Sequence, residues 1–128
     1  MKNIYTWAAR PAKRNTTVND IIAAKGKKIL TQVTANTSLE AKAAEEAGFD
    51  MIIGSASNVK KVREGSKILF YTAALELHNY PTSDDVLRGA FKALENGADA
   101  VMTARSMDVV TILAKEDVPF ARIVTTSI

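Results

Sequence analysis

The feature that most constrains this 128-residue chain is a repeated alternation of short apolar runs with segments that open on a helix-capping residue. The apolar runs span residues 28–35 (KILTQVTA), 49–55 (FDMIIGS), 67–75 (KILFYTAAL), 98–104 (ADAVMTA) and 118–126 (VPFARIVTT). Between them, Thr37 stands three residues before Glu40, Thr82 and Ser83 precede an apolar-periodic stretch, and Ser106 precedes another. Such residues satisfy the backbone donors that a helix start leaves unpaired. Gly48 and Gly97 supply left-handed stops. Near-continuous apolar strands need cover on both faces, and an intervening helix carries the chain back to begin a parallel neighbour. The predicted class is therefore α/β, as a parallel (βα)4β unit.

Within that frame, Leu39, Ala43 and Ala47 recur every four residues and so share one helix face. A short polar helix is expected near residues 58–64. Val86, Leu87, Ala90, Phe91 and Leu94 form the apolar stripe of the next helix, and Val109, Val110 and Leu113 that of the last. Met51, Met102 and Met107 read as packing residues. Ahead of the first strand, Thr17 with Asp20 resembles a capping box for a short helix ending at Lys25 and Gly26. Residues 1–16 show no sustained period and are expected to be a basic N-terminal extension that docks through Tyr5 and Trp7. Residues 17–128 are expected to form one α/β domain.

Composition narrows the chemistry. There is no Cys and only one His, which excludes disulfides, thiol nucleophiles and His- or Cys-rich metal clusters. Residues 1–28 hold seven Lys or Arg against Asp20 alone; the net charge is +3, so the remainder carries about −3. This basic head lacks the interleaved aromatics of a single-strand groove and is read as a solvated extension, with nucleic acid not expected as a partner. No run is long enough to span a membrane, and no secretory signal core is present, so a cytoplasmic location is expected.

Two architectures suit the pattern: an open doubly wound sheet, favoured by length, and a (βα)8 barrel, which needs about 250 residues. A flavodoxin-like binder lacks support, because no Gly-rich phosphate cradle follows the first strand.

The ordered series TVNDIIAAKGKKILTQVTANTSLEAKAAEEAGFDMIIGS (17–55), ALELHNYPTSDDVLRGAFKALENGADAV (74–101) and ILAKEDVPF (112–120) resembles the N-terminal half of the ketopantoate (3-methyl-2-oxobutanoate) hydroxymethyltransferase family. That resemblance implies the first half of a TIM barrel, with residues 17–128 expected to form a partial (βα) barrel domain. It also implies one-carbon transfer to 2-oxoisovalerate in pantothenate biosynthesis, with Mg2+ and methylenetetrahydrofolate as cofactors and a small keto acid as substrate. It places the site at the C-terminal strand ends. There the chain departs from the family pattern. The family's first metal-binding Asp corresponds to Ser55 in Gly54-Ser55-Ala56, the second falls at Ala74-Leu75 with only the displaced Glu76 acidic, and Met102 and Ala104 stand where Lys and Glu are expected.

The candidate catalytic residues are accordingly Glu76 and His78, one an acid and the other able to orient an anion or act as acid or base. Ser55, Ser57 and Arg105 are the candidate substrate-binding residues, through hydroxyls and a guanidinium suited to a carboxylate. No metal ligand is assigned. The expected function is a divergent, shortened family member with weak or no transferase activity as this chain alone. The alternative is a non-catalytic binding or assembly module, formed when half-barrels associate into a homo-oligomer to cover an open sheet edge.

Overall fold

The structure, a computed structural model, describes residues 1–104, 106–116 and 120–122. The chain opens with an antiparallel hairpin of β1 (Lys2–Tyr5) and β2 (Pro11–Arg14), followed by α1 (Val18–Ala24). It then alternates through β3 (Gln32–Thr34), α2 (Ser38–Glu46), β4 (Met51–Ser55), a single 3-10 turn (Ala56–Asn58), α3 (Val59–Gly65) and β5 (Phe70–Ala74). After these come α4 (Ser83–Glu95), β6 (Ala100–Thr103), α5 (Met107–Lys115) and β7 (Phe120–Arg122).

The strands β3 to β7 form one five-stranded parallel sheet in sequential order. A doubly wound sheet reverses its strand order at a switch point, and this one does not. Right-handed crossovers between successive neighbours place the helices on one side of the sheet, as in the wall of a (βα) barrel. The arrangement overturns the open doubly wound sheet that length favours.

Ile52, Tyr71, Ala73 and Val101 lie on the helix-covered face and are wholly buried. Val59, Val62, Val86, Ala90, Leu94 and Leu113 form the core with them. In α4 the expected stripe is right: Val86, Ala90 and Leu94 are buried, and Leu87 and Phe91 are half-buried. In α2 the stripe is displaced. Leu39, 78% exposed, shares an outward face with Ala43 and Ala47, whereas Ala41 and Ala44 face the core. Small residues line the inward side because α2 and α3 approach closely: a Cβ on Gly65 would overlap the Ser38 backbone.

The first sixteen residues are folded as the hairpin, not trailed as a solvated arm. Thr6 N–H donates to the Arg10 carbonyl at 2.8 Å, closing a turn in which Ala9 takes the left-handed conformation at φ 60. Trp7 stacks on Phe91 of α4 with ring centroids 5.2 Å apart, while Tyr5 stays 78% exposed. Arg14, expected to be solvated, is 4% exposed. Its Nε lies 3.0 Å from both carboxylate oxygens of Asp99, and its Nη1 donates to the Lys67 carbonyl at 2.8 Å. Arg63 from α3 completes the cluster, donating to Asp99 Oδ2 at 2.8 Å and to the Leu69 and Gly97 carbonyls at 2.7 and 2.8 Å. Asp99 also accepts the Tyr71 N–H at 3.0 Å.

Removing one partner of a buried, hydrogen-bonded ion pair typically costs about 3–5 kcal/mol. Asp99→Ala leaves two buried guanidinium groups without their carboxylate. Urea denaturation is expected to show a loss of about that size. Leu39→Ala, on the exposed face of α2, is expected to change stability by less than about 0.5 kcal/mol.

Candidate functional site

The parallel register sets Ser55 of β4, Ala74 of β5 and Met102 of β6 side by side at the C-terminal ends of their strands. With Thr34, Asn36, Ile53 and Glu76 they line an open depression of about 330 Å3. The polar side of this mouth is a connected hydrogen-bond network. Ser55 Oγ donates to Glu76 Oε1 at 2.6 Å and lies 2.8 Å from Ser57 Oγ. The single hydroxyl hydrogen of Ser55 is committed to Glu76, so Ser57 must be the donor in the second contact. Asn79 Nδ2 donates to the other carboxylate oxygen, Glu76 Oε2, at 2.7 Å.

The loop geometry follows from local capping. Ser55 caps the 3-10 turn, accepting the Ser57 N–H at 3.2 Å. Capping and site roles therefore coincide in the same hydroxyl. Asn36, just past β3, accepts the Ser55 N–H at 2.8 Å and the Asn58 side-chain amide at 3.1 Å. Tyr71 donates its hydroxyl to the Ser55 carbonyl at 3.1 Å. Gly54 makes this convergence possible: a Cβ there would overlap the Ala35 carbonyl and sit 2.9 Å from the Tyr71 hydroxyl and 3.0 Å from Asn36 Oδ1.

Three of the five residues singled out from sequence, Ser55, Ser57 and Glu76, are thus brought together. His78 is exposed in the following turn and takes no part in the network. Arg105 lies outside the described residues. Asn36, Tyr71 and Asn79 belong to the network without having been expected. A polar residue directly after a β-strand is a signal that could have found Asn36. Tyr71, inside an apolar strand, carries no such signal.

Burial pushes the Tyr71 phenol up to about 12, with Arg63 opposing and Glu76 adding to the shift. The Arg63 guanidinium lies over its ring, 5.5 Å from the centroid. Burial raises Tyr80 as well, helped by the Glu76 charge.

A hard divalent cation needs several oxygen ligands, usually including carboxylates. This mouth offers one carboxylate, with both oxygens engaged, beside hydroxyls and amides. Among the described residues no group of three His, Cys, Asp or Glu converges. The donor set does not fit a Mg2+ site.

No protein-family model matches the chain. It is 29% identical, over an alignment of 120 residues, to 3-methyl-2-oxobutanoate hydroxymethyltransferase from Kosmotoga olearia, covering 77% of this chain and 45% of that protein. The chain therefore spans about half the length of the curated relative it matches. Among solved structures, 2,3-dimethylmalate lyase, a PEP mutase/isocitrate lyase superfamily member, aligns with a TM-score of 0.60 at 13% identity, over 79% of this chain and 50% of that one. Phosphonopyruvate hydrolase in complex with oxalate and Mg2+ aligns with a TM-score of 0.57 at 18% identity, over 71% and 40%. These structural likenesses carry the fold: the sheet and its helices match about half of a barrel-type enzyme. Among the described residues no helix is long and apolar enough to cross a membrane.

The raised phenol pKa of Tyr71 has a signed consequence. A folded-state value of about 12 against an ordinary 10 means that stability contributed by the neutral phenol is complete below pH 10 and lost as pH rises toward 12. Between pH 9 and 11, wild type is expected to lose more unfolding free energy than Tyr71→Phe. Chemical denaturation at each pH measures the difference.

Proposed function

We propose that this chain, a distant homologue of the 3-methyl-2-oxobutanoate hydroxymethyltransferases, uses the mouth at its strand ends to bind a small oxo acid and has little hydroxymethyl-transfer activity of its own. The observation that carries this reading is the state of Glu76. Among the described residues it is the one acidic residue lining the mouth, and its two oxygens are held by Ser55 and Asn79. An aldol-type transfer to an oxo acid requires an enolate, which a bound divalent cation stabilises as a Lewis acid. The residues here replace the cation's ligands by hydroxyl and amide donors. Ser57, by turning its hydroxyl hydrogen away from Ser55, and the second N–H of the Asn58 and Asn79 amides can donate to a carboxylate or keto oxygen, and Arg105, which follows β6 in sequence, is the candidate cation for such an anion.

The assay is direct. The purified chain, given 2-oxoisovalerate, methylenetetrahydrofolate and Mg2+, is expected to show no turnover above background, while binding 2-oxoisovalerate equally with and without EDTA in a calorimetric titration. Ser57→Ala is expected to weaken that binding several-fold. Robust Mg2+-dependent turnover would overturn the proposal.

A second reading concerns association. On the sheet face away from the helices, Ile53, Ala74 and Met102 are only half-buried, and β3 is an edge strand. Such a face with an unpaired edge favours association. A second copy of this chain laid over that face would cover both. Sedimentation equilibrium is expected to report a dimer or larger species, and Ile53→Asp to return it to monomer. A wild-type monomer at micromolar concentration would dismiss the reading.

A further inference from the structure

At the opposite end of the sheet from Glu76, a groove of about 570 Å3 runs between the hairpin and the C-terminal ends of α3 and α4. Arg10 and Lys13 of the hairpin and Lys67 before β5 line it, and a contiguous depression adds Lys60. Among the described residues none of these four side chains forms an ion pair. Exposed cations alone are ordinary solvated surface. What distinguishes this groove is the charge beneath it. Arg14 and Arg63, 4% and 9% exposed, also line the groove and share the single carboxylate of Asp99, leaving one positive charge in excess in a place water barely reaches.

Burial first, and then the like charge of Arg14, depresses the Arg63 guanidinium to about 10 despite the pull of Asp99. The negative ends of α3 and α4 offset part of this excess, and Arg63 already uses the Gly97 carbonyl there. Glu64 and Glu95 are the acidic residues along the groove and its continuation, fewer than the cations they face. An anion seated among Arg10, Lys13 and Lys67 would complete the balance.

We propose that this groove binds the phosphate group of a small phosphorylated molecule. Arg10, Lys13 and Lys67 contact the phosphoryl oxygens, and the Arg14–Arg63 pair supplies an unscreened positive field from below. Pro11 and Ile68 offer apolar surface to the organic part, and the volume is that of a small-molecule site. A nucleic-acid track would need bases stacked on aromatic rings along the backbone path. Trp7 is instead stacked on Phe91 and does not line the groove.

The test is a calorimetric titration of the whole chain with inorganic pyrophosphate at fixed ionic strength, paired with thermal unfolding. Saturable millimolar or tighter binding and a raised unfolding temperature are expected. The double variant Lys13→Glu/Lys67→Glu is expected to bind about tenfold more weakly or worse. Lys42→Glu, on α2 away from the groove, is expected to bind as wild type does. If the double variant does not fold, Arg10→Gln serves instead, since Arg10 lies exposed at the hairpin turn. Equal binding by the groove variants, an equal response to chloride at matched ionic strength, or no binding by folded wild type overturns the proposal. So does a single-stranded oligonucleotide that binds more tightly and displaces pyrophosphate, which would reassign the groove to nucleic acid.

Discussion

Asp99 ties together three parts of the chain that lie far apart in sequence. Its carboxylate accepts Arg14 from the hairpin, Arg63 from α3 and the Tyr71 N–H from β5, while its own N–H donates to the Tyr71 carbonyl at 2.8 Å. Charged groups this far from water persist only when their hydrogen-bonding capacity is filled. That condition fixes the hairpin against the base of the sheet and the end of α3 against the start of β6. A hydrophobic base would cover the same area without specifying which segments lie there. The cluster sits at the base of the sheet, at the end away from the depression formed by Ser55, Ala74 and Glu76.

At that other end, backbone and chemistry separate. The strands arrive in register, the turn after β4 is capped, and the depression is present, so the geometry that presents groups to a ligand is intact. The groups themselves are hydroxyls, amides and one occupied carboxylate. A barrel strand can change its terminal residue without disturbing the core, because that residue projects from the loop and not into the packing. This separation explains how the chain can match barrel enzymes in fold while its donor set differs.

The sequence reveals local features more fully than distant ones. The Thr17–Asp20 and Thr82–Asp85 capping boxes form because both partners lie within one turn. Thr37 caps α2 as its spacing implies, although the Glu40 carboxylate reaches back to the Asn36 N–H. The α4 stripe is legible because charged residues occupy its opposite face. In α2, alanines stand on both sides, so spacing alone does not say which side is inward. The Arg14–Asp99 pair spans 85 residues and the Arg63–Asp99 pair 36, and no periodicity announces such partners. The same holds for the candidate site: Ser55, Ser57 and Glu76 were visible as polar residues after strands, but the part played by Tyr71 depends on a ring that crosses the core.

That ring has a mechanical meaning. Tyr71 is fastened to Asp99 through its backbone at one end of β5 and to the Ser55 carbonyl through its hydroxyl toward the other. It acts as a strut of fixed length between the charged base and the polar mouth. A peptide loop alone can breathe; a loop pinned by an aromatic ring keeps its height above the floor of the sheet. The position of the Ser55 hydroxyl is therefore gauged from the foundation of the domain, by a rigid side chain buried within it.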